Sequence, residues 1–127
     1  MVRYLPRYSI SILLLPALAW SLPAQTQEGF KRLSEREIRE RVIGKDIVDS
    51  YRWVTFARSD GVLVVVDEAA RRRIGTWTVR NGKLCMSTPG GKSFDCNEVW
   101  MSGSNIRLRA HKNEETFDAV VEEHKAD

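Results

Sequence analysis

The Asn81-Gly82 step leaves the chain few choices, because it sets both a turn and the register of the strands on either side. Asn followed by Gly accepts the two successive positive φ angles that a tight hairpin turn needs and most residues avoid. With Arg80 opposite Lys83, Val79 faces Leu84 and Trp77 faces Met86, which puts four apolar side chains on one side. Two further turns agree with that arrangement. Ser102-Gly103-Ser104-Asn105 sets Met101 against Ile106 and Val99 against Leu108. A turn at Lys112 to Glu115 sets Ala110 against Phe117, Leu108 against Ala119 and Ile106 against Val121. Separate turns that deliver one shared apolar face argue for a β fold more strongly than any single propensity.

The same period-two pattern begins at Tyr51 and is cut by turn residues every eight to twelve positions. Tyr51 to Arg58 reads as a strand, turned by Ser59-Asp60-Gly61. Val62 to Val66 is a continuous apolar run, the signature of a strand covered on both faces or packed under a helix. Asp67 to Arg73 admits two readings: a helix with Asp67–Arg71 and Glu68–Arg72 ion pairs, or a polar loop. Ile74 to Arg80 resumes the strands. Ahead of them, Ser34-Glu35-Arg36-Glu37 forms a capping box, with Leu33 and Ile38 at the positions of a hydrophobic staple. A short helix from Glu35 to Ile43 follows, ended by Gly44, and its thin apolar stripe suits a lid on a sheet.

Cys85 and Cys96 are the two cysteines. Their numbers sum to the same value as every pair across the turn at Pro89 to Lys92, so they face each other. Proline cannot donate a ladder hydrogen bond, which favours a four-residue loop between Thr88 and Ser93 over a tighter turn. Counting back from that loop places the cysteines on a non-hydrogen-bonded pair, where Cα atoms are nearest and a disulfide fits. The strand from Phe94 to Met101 carries a conflict. Phe94, Cys96 and Trp100 fall on one side and Val99 and Met101 on the other, so either a bulge or burial of both faces is required.

An oxidising compartment is expected from the other end of the chain. Arg3 and Arg7 precede an apolar stretch from Ser9 to Trp20, and Leu22-Pro23-Ala24 supplies a small residue for cleavage. That stretch is well short of the roughly 20 residues of a membrane span. Residues 1–24 therefore read as a cleaved signal peptide, 25–33 as a polar lead-in, and 34–127 as a single β-rich domain of a periplasmic or secreted protein. No stable membrane span remains after processing. Charge follows the same cut: of 20 basic and 17 acidic residues, Arg3 and Arg7 leave with the tag, so 18 basic residues face 17 acidic ones. A nearly neutral domain gives no support for nucleic-acid binding.

No catalytic constellation assembles from the remaining residues. Gly90-Gly91-Lys92-Ser93 imitates the end of a phosphate-binding loop, but Met86 stands where the first glycine belongs. His111 and His124 are too far apart in sequence, and too few, for a metal site, and read as solvated. No cofactor or metal is expected. Arg107, Arg109 and His111 form the outward set of one strand, either a small anion strip or an ordinary wet face. Tyr51, Trp53, Trp77 and Trp100 are core residues or the lining of a ligand-binding mouth.

The run from Gly75 through Trp77, Leu84 and Cys85 to Cys96 resembles a pattern in small exported bacterial proteins of unassigned activity. The resemblance extends to the helix from Leu33 to Arg39 and its terminal Gly44. It implies a secreted or periplasmic β domain with one helix. The expected fold is an antiparallel meander of about seven strands, curled into a small barrel or twisted sheet with one short N-terminal helix. The expected function is a non-enzymatic module that binds an unknown small ligand or protein. The alternative is an inhibitor of an extracytoplasmic hydrolase that inserts the loop from Thr88 to Ser93; a third reading is an enzyme whose site is built from scattered polar residues.

Overall fold

Ser34 ends an extended segment and starts a helix. Its Oγ accepts from the Glu37 amide at 3.2 Å, and the Glu37 carboxylate accepts from the Ser34 amide at 3.1 Å. Leu33 and Ile38, buried at 2 % and 0 % exposure, close the hydrophobic staple. In the computed structural model, which describes Arg3 and residues 29–87, 95–110 and 116–125, this helix is α1 (Glu35–Arg41). It stops two residues before the expected Ile43; Val42 caps it and Gly44, at φ 82°, redirects the chain.

The strands are β1 (Lys31–Arg32), β2 (Lys45–Asp49), β3 (Val54–Ala57), β4 (Val62–Val66), β5 (Arg72–Arg80), β6 (Lys83–Ser87), β7 (Asp95–Ser102), β8 (Asn105–Arg109) and β9 (Phe117–Glu123). From β2 to β9 each strand pairs antiparallel with the next, and β9 returns to pair with β2 through Ile47↔Val121. The result is a closed eight-stranded barrel with α1 as the one helix among the described residues. Closure satisfies both edges of a sheet that would otherwise expose unpaired backbone groups. The two-residue β1 pairs with the second half of β7, placing Lys31 opposite Met101, and so belongs to the fold rather than to a lead-in.

Two of the three expected turns have the anticipated register: Val79↔Leu84 and Trp77↔Met86 in one, Val99↔Leu108 and Met101↔Ile106 in the other. The third is displaced by two residues, since Leu108 pairs with Phe117 and Ile106 with Ala119. A slip of two keeps every side chain on its own face, so alternation alone does not separate the two registers. The turn itself, at Lys112 to Glu115, lies outside the described residues.

Two local readings are corrected and one open choice is resolved. The strand expected from Tyr51 begins only at Val54, because Asp49 Oδ1 accepts from the amides of Tyr51 and Trp53, each at 2.9 Å, and folds that segment into a turn. Arg52 there has φ 66°. The strand β2 went unread, since its two apolar residues are adjacent rather than alternating and its acids resemble loop composition. The segment after β4 is a loop: buried Asp67 accepts from the amides of Ala69 and Arg71 and from Arg71 Nε at 2.9 Å. The conflict in β7 is met without a bulge, by covering on both faces: the outward Cys96 and Trp100 are half-buried. Val99 and Met101 point inward, while Cys96 and Trp100 lie on the opposite face of the strand.

Cys85 and Cys96 are bonded across β6 and β7, with Cα atoms 3.9 Å apart. They lie on the outer face, between the inward-facing neighbours Leu84 and Met86 on β6. Among the described residues no helix is long and apolar enough to cross a membrane.

Candidate functional site: the open half of the barrel lumen

Eight strands of alternating residues turn one side chain in two toward the axis, and these side chains do not fill the lumen from end to end. At one end α1 acts as a plug. Ile38, Val42 and Leu33 pack with Val79, Leu84, Val99 and Ile106. Polar contacts hold the helix over that end: the Gly82 amide donates to Glu35 Oε1 at 3.0 Å, and Arg41 donates to the Gly103 carbonyl at 3.2 Å. Trp77 closes the layer beneath, with its Nε1–H donating to the Arg58 carbonyl at 2.6 Å.

Toward the other end the filling stops and leaves a cavity of about 310 Å³. Its walls are the inward residues Ile47, Leu63, Val65, Met86 and Leu108, with Trp53 and Phe117 beside them. Gly75, paired with Leu63, contributes no side chain to this part of the lumen. Three polar side chains border the same space: Thr55, Asn97 and Asp95. A predominantly apolar cavity with a few polar groups is the usual make-up of a small-ligand site, and this volume lies at the lower end of the ordinary ~300–1,000 Å³ range.

Of the aromatic residues singled out in the sequence, Trp53 borders the cavity and is half-buried. The Arg73 guanidinium lies 5.8 Å from its ring centroid. Tyr51 is 77 % exposed on its turn, Trp77 belongs to the packed layer, and Trp100 faces outward with Nε1 3.3 Å from Glu98 Oε2. Arg107 is paired with Asp118 through two hydrogen bonds of 2.8 and 3.1 Å and lies 4.3 Å from the Phe30 ring centroid. That pairing holds the Asp118 carboxyl below its ordinary value. Arg109 lies opposite Glu98 in the ladder, so these arginines stand beside carboxylates. His111, Phe94 and the loop from Thr88 to Ser93 lie outside the described residues.

Sequence reasoning missed the cavity's polar residues, yet the pairing rule contained them. The sum that places Cys85 opposite Cys96 also places Asp95 opposite Met86 and Asn97 opposite Leu84, on the inward face. His124 is exposed, as the solvated reading expects, and it also makes specific contacts. Its ring stacks on Phe56 with centroids 3.7 Å apart, and Nδ1 lies 2.8 Å from buried Asp46. These groups border a second depression of about 330 Å³ on the outer surface of β2, β3 and β4. No group of three His, Cys, Asp or Glu side chains among the described residues is arranged to hold a metal ion.

No protein family matches the chain, and neither a curated protein nor a solved structure does.

Proposed function

We propose that this protein is an exported, non-enzymatic binding module that takes a small, largely apolar molecule into the cavity at one end of its barrel. The observation that carries this reading is the 310 Å³ lumen cavity, walled by apolar side chains in a fold otherwise packed shut by α1. Filling a barrel to its end would stabilise it, because each missing side chain forfeits dispersion contacts. A lumen left open at one end is consistent with a ligand completing the packing. Export is supported by the Cys85–Cys96 disulfide, since such bonds persist mainly in oxidising compartments, and by the signal-like segment at residues 1–24.

Titration with 1-naphthol, followed by the change in fluorescence, tests the reading. Saturable binding of one molecule per chain is expected, lost in Thr55→Phe, which fills the cavity from a half-buried position. Equal binding by the parent and by Thr55→Phe of unchanged β content overturns it.

A further inference from the structure

We infer that the lumen selects molecules with a cationic head, such as primary ammonium amphiphiles, and that Asp95 is the residue that recognises the head. The inference rests on the lumen-binding reading above and adds the ligand's chemistry to it. Asp95 is the single charged residue among the described residues that border the cavity. Its place is set by register: pairing with Met86 turns it inward, on the same face as Asn97, Val99 and Met101. Arg73 reaches the rim over Trp53 but does not border the cavity.

A carboxylate beside an apolar space discriminates sharply between ligands. An ammonium group placed there gains a charge-assisted hydrogen bond while its alkyl body displaces water from the walls. Asp95 is exposed and so screened by water, but a ligand carboxylate placed beside it still meets a like charge and loses part of its own hydration. Specificity of this kind comes from the repulsive element as much as the attractive one. Asn97, two residues along β7, adds a neutral hydrogen-bonding group on the same strand, and Thr55 adds one from β3 across the barrel.

Three eight-carbon ligands that differ only in the head test the inference: octylammonium, 1-octanol and octanoate, titrated calorimetrically against the oxidised protein at neutral pH. The expected order of affinity is octylammonium, then octanol, then octanoate. Asp95→Asn should weaken octylammonium by at least about tenfold, the worth of one charge-assisted contact, and leave octanol within about twofold. Asp95→Glu, which keeps the charge, should keep the preference. Thermal melts of both variants establish that the barrel is intact. Octanol binding with no preference for the amine, or a preference that survives Asp95→Asn, overturns the head-group assignment and leaves the lumen reading standing. Failure of all three ligands to bind overturns both.

Discussion

His124 Nδ1 lies 2.8 Å from Asp46 Oδ1, which fastens the chain just beyond β9 to the outer face of β2. The same carboxylate accepts from the Lys125 amide at 3.2 Å. Asp46 is 6 % exposed, and its strand is the one that β9 must meet for the barrel to close. A buried acceptor therefore sits at the seam between the first and last strands of the ring.

Replacing that acceptor should loosen the seam. Asp46→Ala removes the partner of the Lys125 amide and the His124 ring nitrogen, which are exposed and can turn to water, so the cost should be about 0.5–1.5 kcal/mol. Asp46→Asn keeps one carbonyl acceptor and should lose less. Urea denaturation of the two variants measures both, and an Asp46→Ala midpoint equal to the parent's would contradict the proposed role of the contact.

The disulfide spans a short segment, 11 positions from Cys85 to Cys96, and joins strands already paired. Limiting the unfolded chain by a loop of this size stabilises the fold by about 2–3 kcal/mol. The double variant Cys85→Ser/Cys96→Ser should unfold at a correspondingly lower denaturant concentration. Thiol titration of the denatured parent, without reductant, should find none free. Detection of two thiols would refute the bond.

Stability should fall on the acid side, with a definite sign. Arg71 holds the Asp67 carboxyl below its ordinary value, first through its backbone amide and also through its charge, against burial that pushes the other way. Arg58 does the same for Asp60 and Arg107 for Asp118. A carboxyl whose pKa is lower in the folded chain contributes stability that is complete above the unfolded value, about 4. That contribution is lost as pH drops toward the folded value. Thermal melts should thus change little from pH 7 to about 5 and fall below about 4. Asp67→Asn should be less stable than the parent at pH 7, with the gap narrowing as acid is added; a gap constant with pH would count against the assignment.

The helix should matter more to stability than the cavity wall does. Ile38 is fully buried where α1 plugs the lumen, so Ile38→Ala should cost about 2–5 kcal/mol. Thr55, half-buried beside empty space, has room for a larger side chain, and Thr55→Phe should shift the melting temperature far less. Differential scanning calorimetry on the pair compares them directly. Equal losses would mean that the cavity is smaller in solution than its walls indicate.

Much of the fold is written in short-range pattern. The Asn81-Gly82 turn and the Ser34–Glu37 box depend on residues within a few positions of one another, and local φ preferences and caps decide such features. The cysteine pairing also follows from counting across one turn. Readings that needed two distant segments fared differently. β2 carries too little alternation to announce itself, and its partners, β3 and β9, are what make it a strand. The register of β8 with β9 was misplaced by two because both choices bury the same face.

Residue order alone thus determined that the chain forms hairpins with one apolar side, a capped helix and a cross-strand disulfide. Closure into a ring, the seam at Asp46 and His124, and the cavity in the lumen belong to the tertiary structure. The reason is geometric. A strand's alternation says which side chains share a face, but not how many strands encircle an axis or how far their side chains reach across it. Asp95, Trp53 and Phe117, 64 positions apart at the extremes, border one cavity only because eight strands close around it.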